Sequence, residues 1–312
     1  MGLSSISQQR FRFILITRKT RLQELVERFN TWPQAKFYLE HNQIDAQDYL
    51  TEHDLYQQRL REAEQILKPL GRFQSLERSL LPSYQFGSSD IIIVIGQDGL
   101  VANTLKYLQG QPVIAINPDP KRWDGKLLPF EIGDLNQALI KTMTKTAVTK
   151  TITFAEAKTN DGQRLLAVND VFLGPKTHTS ARYALEWERQ RELQSSSGII
   201  VSTGFGSSGW FRSILAGALG VTHQHKHELL EGFAWDAPRL QFTVREPFPS
   251  KTTGVKLVFG GITQHTPLRI ESQMPENGVV FSDGIEADYL AFNSGTVVTV
   301  GVAPTQGCLV CQ

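Results

Sequence analysis

The sequence is most constrained by a β-branched segment, Asp90 to Ile95 (DIIIVI), which a glycine turn follows at once. An unbroken run of this kind is typical of a parallel strand that is covered on both faces. The turn Gly96-Gln97-Asp98-Gly99 leads into a helical pattern through Leu108, and a second buried strand is predicted at Pro112 to Ile116 (PVIAI). Strand, glycine turn, helix and strand form a βαβ unit, so we expect a parallel sheet.

The pattern changes along the chain. Phe11 to Thr17 (FRFILIT) predicts a first strand, and apolar residues at three- and four-residue spacing predict an amphipathic helix over Asp45 to Leu70, capped by Asp45. From about residue 146, short alternating or β-branched segments divided by turns predict a mainly antiparallel β domain. We therefore expect an α/β domain over residues 1–145, a β-sandwich over 146–299, and a short tail over 300–312.

Composition and charge exclude several classes of protein. The 312 residues include 32 Lys and Arg against 31 Asp and Glu, a formal charge of +1, so a general nucleic-acid binder is disfavoured. Hydrophobic residues make up 40% of the chain, which is globular rather than disordered composition. The longest aliphatic run, Ile91 to Ile95, is far shorter than the roughly 20 residues of a membrane helix. We expect a soluble protein with no nucleic-acid or membrane partner.

The cysteine count and the start of the chain bear on the compartment. Cys308 and Cys311 form a CLVC tail that is either a redox couple, half a metal site or structural, and a structural role is favoured because no second CxxC and no helix follow. Two cysteines fit a reducing compartment, and we expect the cytoplasm. Residues 1–23 lack acids, as transit peptides do, but the strand predicted at Phe11 to Thr17 argues against a removable peptide.

The glycine turn is the first candidate for chemistry. Parallel sheets bind ligands at the carboxyl ends of their strands, where Gly96 and Gly99 would let a phosphate approach the main chain at a helix N-terminus. Asp98 can hold a metal or accept a proton from an attacking hydroxyl. The alternative is a tight turn with a capping aspartate. Neither GxGxxG nor GxxxxGK[ST] occurs, so a redox dinucleotide domain or a Walker NTPase is not indicated.

Two polar segments of the β domain are further candidates. Asn169 and Asp170 interrupt the apolar strand predicted over Arg164 to Leu173, which is costly unless they bind a ligand or a neighbouring turn. Residues 201–210 (VSTGFGSSGW) predict a strand that enters a loop of small residues and opens a helix. Such a loop can offer hydroxyl and N–H groups to a nucleotide while Trp210 packs beneath it, although a plain glycine-rich turn explains it almost as well.

Together, in this order and at this spacing, the three segments GQDG, ND and STGFGSSGW resemble the NAD kinase family. Its signatures are a GGDG turn after a buried strand, an Asn-Glu pair in the β domain, and a loop of the form STPTGSTAY. The match is closest to the mitochondrial type, through Val113 to Pro120 with the later Gly125, Val168 to Gly174, Ser196 to Gly198, and Val244 to Pro247. Diacylglycerol and sphingoid-base kinases share the GGDG turn, but the second and third motifs favour the NAD branch.

The resemblance implies an α/β amino-terminal domain with a Rossmann-like parallel sheet, followed by a β-sandwich that carries most of the NAD pocket. It implies transfer of a phosphoryl group from ATP, or from polyphosphate, to the 2′-hydroxyl of the adenosine ribose of NAD. Mg²⁺ would accompany ATP, with no metal ligand assigned to the protein, and the expected assembly is a homodimer or homotetramer. In many members a carboxyl-terminal segment, here residues 300–312, returns to the first domain.

The resemblance also implies residue roles. Asp98 would orient or deprotonate the hydroxyl, and Gly96, Gln97 and Gly99 would lie at the donor phosphates. Asn169 and Asp170 would hold the ribose and diphosphate of NAD. The other NAD-binding residues implied are Ser197, Thr203, Ser208, Gly209, Trp210 and Ser213.

Departures from the family pattern leave two alternatives. Gln97 replaces the second glycine of GGDG, Leu100 replaces a threonine, and Asp170 is one methylene shorter than glutamate. A side chain at residue 97 stands where the donor phosphates would pass the backbone, which favours a nucleotide-binding pseudokinase. The other alternative is a kinase of this superfamily that uses a lipid or sugar acceptor.

Three remaining features have competing interpretations. His223, His225 and His227 alternate and can bind zinc or nickel on an extended segment, but without a Cys or acidic partner a surface loop is favoured. Asp283 in FSDG predicts a hairpin turn with a structural role. Three charged residues follow the second strand of the βαβ unit, where residues of a ligand-binding cleft are expected: Asp119, Arg122 and Asp124. A solvent-exposed charged loop explains them equally well.

Overall fold

The computed structural model describes residues 11–312, so the first ten residues of the acid-poor start lie outside the described part. The chain divides into two compact units. The first comprises Met1–Thr149 with Cys308–Gln312, and the second comprises Lys150–Gly307. Within residues 11–312, no helix combines the length and the apolar character that crossing a membrane requires.

The first unit contains a parallel sheet. Its strands are β1 (Arg12–Thr17), β2 (Arg72–Glu77), β3 (Asp90–Ile95) and β4 (Pro112–Ile116). They are ordered β2-β1-β3-β4 and all pair in parallel. Every residue of β3 is buried, as expected for a strand covered on both faces. The parallel sheet predicted from the βαβ unit is confirmed.

Within residues 11–149, five α-helices accompany this sheet: α1 (Arg21–Phe29), α2 (Trp32–His41), α3 (Ala46–Leu67), α4 (Asp98–Leu105) and α5 (Leu135–Met143). The predicted cap of α3 is present, because the Asp45 side chain accepts a 2.9 Å hydrogen bond from the N–H of Gln47. Alternate residues of β3 pack with Tyr56 and Leu67 of α3 in one core. The helix thus covers one face of the sheet.

The second unit is built from antiparallel strands and one α-helix, and its first and last strands extend into residues assigned to the first unit. These are β5 (Val148–Thr159), β6 (Arg164–Ala167), β7 (Asp170–Pro175), β8 (Ala181–Trp187), β9 (Gln190–Ser196), β10 (Ile199–Ser202), α6 (Trp210–Val221), β11 (Arg239–Val244), β12 (Phe259–Thr263), β13 (Leu268–Ser272), β14 (Gly278–Ser282), β15 (Ile285–Ala291) and β16 (Val297–Cys311). One sheet has the order β12-β11-β10-β7-β14-β15, and the strands β16-β13-β8-β9 neighbour one another in the other.

The core of the second unit lies between these two sheets. Val171 and Val201 from the six-stranded sheet share a buried cluster with Leu185, Ile270 and Val298 from the other. Side chains that interdigitate from two facing sheets define a β-sandwich. The predicted sandwich is therefore confirmed.

The structure corrects one predicted strand. The segment from Arg164 to Leu173 is not continuous, because Val168 and Asn169 form a bend between β6 and β7. The polar pair Asn169 and Asp170 therefore lies at the start of β7 rather than inside a strand. The hydrogen bonds that impose this bend come from a distant turn and are described below.

The structure favours the structural interpretation of the CLVC tail over a redox couple. Cys308 and Cys311 both lie on β16, and β16 ends in parallel beside β4, with Cys308 opposite Pro112. Residues three apart on a strand point to opposite faces and stand about 10 Å apart, beyond the roughly 7 Å that a disulfide can span. Burial also raises the pKa of the Cys308 thiol, which lowers its reactivity.

Candidate functional site

The glycine turn follows β3 and opens α4. Gln97 is the N-cap of α4, without a side-chain capping bond, and Asp98 is the first helical residue. A Cβ at Gly96 would lie 2.7 Å from Cδ2 of the buried Leu100, whereas a Cβ at Gly99 would meet no atom within 4 Å. Gly96 is thus required by internal packing, and only Gly99 borders open space.

A backbone loop holds the carboxylate of Asp98. Its Oδ1 accepts a 2.7 Å hydrogen bond from the N–H of Leu127, and its Oδ2 accepts one of 3.1 Å from the N–H of Lys126. These bonds fix the orientation of the carboxylate. Each carboxylate oxygen has a second lone pair, so Asp98 retains the capacity to accept a hydrogen bond from a substrate hydroxyl.

The bend at Asn169 is shaped by Asp283. Oδ1 of Asp283 accepts hydrogen bonds from the N–H groups of Asn169 (2.7 Å) and Val168 (3.1 Å), and lies 3.3 Å from that of Asp170. The N–H of Asp283 in turn donates to the carbonyl oxygen of Asp170 at 3.0 Å. Asp283 and Gly284 form the predicted hairpin turn between β14 and β15, with φ of 54° and 72°. Asp283 therefore has the predicted structural role in the hairpin turn. It also holds the bend that carries the second motif, Asn169 and Asp170.

The small-residue loop after β10 is fastened to the same bend. The hydroxyl of Thr203 lies 2.5 Å from the carbonyl oxygen of Val168, to which it donates, and it accepts a 3.1 Å bond from the N–H of Gly206. A Cβ at Gly206 would lie 2.0 Å from the carbonyl oxygen of Asn169, so only glycine fits there. The structure thus brings the second and third motifs together in the second unit.

The residues of this loop differ in what they expose. Thr203 is fully buried, and its hydroxyl donates a hydrogen bond to the carbonyl oxygen of Val168. In this structure the hydroxyl therefore does not face a ligand. Ser208, Gly209 and Ser213 are exposed, and Ser213 donates a 2.7 Å hydrogen bond to the carbonyl oxygen of Trp210. The exposed part of the loop is therefore the part that follows Ser207.

A cavity of about 550 Å³ in the second unit is lined by two of the predicted residues, Ser197 and Trp210. Trp210 stacks on Phe172 with ring centroids 5.7 Å apart and planes 12° apart. The guanidinium carbon of Arg245 lies 5.2 Å from the Trp210 centroid and 5.9 Å from that of Phe172. An aromatic surface with a cation above it suits planar rings and anionic groups.

Polar side chains complete this cavity. The hydroxyl of Ser197 donates to a carboxylate oxygen of Glu246. Lys176, His178 and Glu286 also line the cavity. Arg245 and Phe172 were not predicted as site residues. Both lie in segments that resemble the family, VREP and VNDVFLG, but their roles depend on the stacking of Phe172 on β7, Trp210 on α6 and Arg245 just after β11, which no local pattern encodes.

The two interpretations of the histidine cluster can now be compared. His223 and His225 are exposed, and Nδ1 of His227 accepts a 3.1 Å hydrogen bond from the N–H of Leu229. In the part of the chain that the structure describes, no group of three or more His, Cys, Asp or Glu side chains is arranged to hold a metal. The surface-loop interpretation fits these observations.

Comparison with known proteins identifies the fold. The sequence matches no protein-family model and no curated protein sequence. The solved structures that are similar to this chain include two kinases. An NAD kinase from Archaeoglobus fulgidus in complex with ATP is 15% identical, with 96% of this chain and 93% of that chain covered and a TM-score of 0.57. Yeast NADH kinase complexed with NADH is 14% identical, with 98% and 84% covered and a TM-score of 0.60. The predicted NAD kinase fold is confirmed.

Proposed function

We propose that this chain is an NAD kinase-like phosphotransferase that moves a phosphoryl group from ATP, or from polyphosphate, to the 2′-hydroxyl of the adenosine ribose of NAD, giving NADP. The observation that carries the proposal is the bend at Asn169 interlocked with the Thr203 loop, on a fold shared with NAD and NADH kinases. Asp98, the first residue of α4 after the glycine turn that follows β3, supplies a carboxylate for the reaction.

The chemistry assigned to Asp98 is orientation and deprotonation of the acceptor. The 2′-oxygen attacks the terminal phosphorus of the donor, the bond from that phosphorus to the bridging oxygen breaks, and the nucleoside diphosphate leaves when ATP is the donor. The hydroxyl proton passes to the carboxylate of Asp98. The N–H groups of Lys126 and Leu127 keep that carboxylate in one orientation during the step.

The donor is expected to approach Gly99, where the space beside the main chain is open. Since no group of three candidate ligands is found among residues 11–312, the phosphates of ATP would be the main ligands of Mg²⁺. When bound, the ion neutralises charge that develops on the phosphate oxygens. The side chain of Gln97, half-buried and without a capping bond, borders the same turn.

The acceptor is assigned to the second unit. We assign the main-chain groups around Asn169 and Asp170 to the ribose and diphosphate, and the exposed Ser208 and Gly209 to the adenine side. The cavity lined by Trp210 and Arg245 offers a stacking surface and a positive charge to the remaining part of the dinucleotide. By resemblance to the NAD kinase family, the proposed assembly is a homodimer or homotetramer. The low cysteine content makes the cytoplasm the proposed compartment.

The second candidate is a pseudokinase that binds the dinucleotide without phosphorylating it. Gln97 at the donor turn favours it, because its side chain occupies space that glycine would leave open. A kinase with a lipid or sugar acceptor is the third candidate. It predicts turnover only when such an acceptor replaces NAD.

The deciding experiment measures NADP formation from NAD with Mg²⁺ and either ATP or polyphosphate. Wild type is compared with Asp98→Asn, and with Asp54→Asn as a control, since Asp54 is an exposed aspartate on α3 and carries the same charge. We expect turnover in wild type and in Asp54→Asn, and a loss of at least about 100-fold in Asp98→Asn. Wild type that binds NAD by calorimetry without turnover would select the pseudokinase.

A further inference from the structure

A cluster of charged side chains surrounds helix α3 in the first unit. Asp48 and Glu52, one helical turn apart, accept hydrogen bonds from three arginines: Arg18, Arg21 and Arg122. Arg18 and Arg21 follow β1, whereas Arg122 follows β4. Helix α3 thus connects the segments that leave two parallel strands.

Arg122 uses all three of its guanidinium nitrogens in contacts with carboxylates. Its Nη1 and Nη2 donate to the two oxygens of Asp48 at 3.0 and 2.5 Å, which is the two-pronged geometry that suits a guanidinium and a carboxylate. Its Nε lies 3.4 Å from Oδ2 of Asp119, three residues earlier. Arg122 therefore fixes its own loop to α3.

That loop is the one that holds Asp98. The N–H groups of Arg122 and Trp123 donate to the carbonyl oxygen of Asp119 at 3.0 and 3.1 Å, and Nδ2 of Asn117 donates to the carbonyl oxygen of Trp123 at 2.9 Å. Gly125 follows with φ of 60°, and a Cβ there would lie 2.8 Å from that Nδ2 atom. The compact turn then delivers the N–H groups of Lys126 and Leu127 to Asp98.

Helix α3 is also attached to the strand that precedes Asp98. The hydroxyl of the buried Tyr56 donates a 3.0 Å hydrogen bond to the carbonyl oxygen of Ile95, the last residue of β3. The same hydroxyl accepts a 3.0 Å bond from the N–H of Arg18. Through Tyr56 and Asp48, α3 therefore contacts both the strand that leads into the glycine turn and the loop that binds the Asp98 carboxylate.

We propose that the Arg122–Asp48 pair is a positioning device that sets the orientation of the Asp98 carboxylate through the loop from Asp119 to Leu127. The proposal rests on the proposed function, because it assigns Asp98 to the chemistry. Arg122 and Asp48 are positioning residues that need not touch substrate. A displacement of about 1 Å at a reacting group can slow a reaction by about 100-fold, so a small shift of this loop has a measurable effect.

The pair is suited to a test because its contribution to stability is expected to be small. The side chains of Arg122 and Asp48 are 23% and 41% exposed, and ion pairs at such exposure stabilise a fold little. Arg59 on α3 offers a matched control, since it is 28% exposed and pairs with Glu62 at 2.9 Å without contacting the loop. A catalytic effect confined to Arg122 would therefore separate positioning from general stabilisation.

The experiment measures kcat and KM for NAD, together with amide hydrogen exchange at Lys126 and Leu127, in Arg122→Ala, Arg122→Lys, Asp48→Asn and Arg59→Ala. We expect Arg122→Ala to lower kcat at least about tenfold with KM within about twofold of wild type, and to accelerate exchange at Leu127 about tenfold. Arg122→Lys keeps the charge but loses the fork, so its kcat should be intermediate. Arg59→Ala should match wild type.

Two outcomes overturn the proposal in distinguishable ways. If wild type phosphorylates NAD, and the kcat of Arg122→Ala per folded molecule stays within about twofold of the wild-type kcat, the positioning role fails while the proposed function stands. If wild type binds NAD without phosphorylating it, the proposed function fails and the positioning role falls with it. Should Arg122→Ala fold poorly, Arg122→Lys and Asp48→Asn carry the same comparison.

Discussion

Oδ1 of Asp283 accepts a 2.7 Å hydrogen bond from the backbone N–H of Asn169, 114 residues earlier in the chain. A residue of a β-hairpin turn thereby holds the bend that carries the second sequence motif. The bend in turn holds the small-residue loop through Thr203. Three segments distant in sequence thus form one hydrogen-bonded unit, and the predictions for the second unit follow from it.

Replacing Asp283 with alanine should lower the free energy of unfolding by about 1–3 kcal/mol, because it leaves the partly buried N–H groups of Val168 and Asn169 without their acceptor. Urea unfolding measures this. Asp288→Ala, an exposed aspartate on β15, is the control and should change stability by less than about 0.5 kcal/mol. Equal effects of the two substitutions would contradict the assigned role.

Gly206→Ala should separate the loop from the bend, since the new Cβ would lie 2.0 Å from the carbonyl oxygen of Asn169. We expect weaker NAD binding by calorimetry together with a lower melting temperature. Gly217 lies in α6 with no atom within 4 Å of its Cβ position, so Gly217→Ala should raise stability by about 0.5–1 kcal/mol. Wild-type NAD affinity in Gly206→Ala would exclude a role for the interlocked loop in binding.

Gln97→Gly should raise the rate of phosphoryl transfer if the Gln97 side chain obstructs the donor. Stability should change by less than about 0.5 kcal/mol, because Gln97 makes no side-chain capping bond and glycine is accepted at an N-cap. Leu100→Thr serves as the contrast. It removes a buried side chain packed on Gly96 and should destabilise by about 1–3 kcal/mol. An unchanged rate in Gln97→Gly would remove the side-chain explanation.

Removing the stacked cation from the cavity should weaken nucleotide binding. We expect Arg245→Ala to raise the Kd for NAD about tenfold, since it deletes the charge above Trp210 and Phe172. Arg239→Ala is the matched control, because it also removes a guanidinium group that lies over an aromatic ring. The guanidinium carbon of Arg239 lies 5.3 Å from the centroid of Phe233, which does not line this cavity. Equal Kd values for the two variants would argue against the cavity as a nucleotide subsite.

Acid should destabilise the charge cluster around α3. Hydrogen bonds from Arg122 and then Arg21 lower the pKa of Asp48 from 3.8 to about 2. Burial opposes ionisation of Glu52, but hydrogen bonds from Arg18 and Arg21 outweigh it and lower its pKa too. A carboxylate whose pKa is lowered on folding stabilises the fold above its unfolded pKa, and this stabilisation is lost as pH falls through the folded pKa.

The stability difference between wild type and Asp48→Asn should therefore be largest above about pH 4 and should shrink toward about pH 2. Urea unfolding across this range measures it. Asp54→Asn, at an exposed aspartate on the same helix, is measured as the control. A difference that grows as pH falls would have the wrong sign for these ion pairs.

Part of the fold could be predicted because its determinants are local. The β-branched run of β3, the glycine turn and the Asp45 cap of α3 each act over a few residues, so periodicity and capping rules identify them. The prediction of one continuous strand over Arg164 to Leu173 was wrong because the side chain of Asp283, from another hairpin, accepts hydrogen bonds from the N–H groups of the bend. No local propensity contains that contact.

The candidate site divides in the same way. The motifs predicted Asp98, Asn169 and the loop around Thr203, because residue type and spacing are local features of the sequence. The partners remained hidden: the Leu127 N–H on Asp98, and the cation of Arg245 over Trp210. Such contacts join residues far apart in sequence, and only the folded chain brings their atoms within range.

The sequence by itself therefore determined the βαβ unit, the change to a mainly antiparallel β domain and the three motifs, since hydrophobic period, β-branching and turn chemistry act between near neighbours. Only the tertiary structure decided what the glycines and polar side chains do. Gly96 and Gly206 are required by Leu100 and by the carbonyl oxygen of Asn169, and the Thr203 hydroxyl is engaged inside the protein. The physical reason is that steric exclusion and hydrogen bonding depend on distances of a few ångströms, which the chain acquires only when it folds.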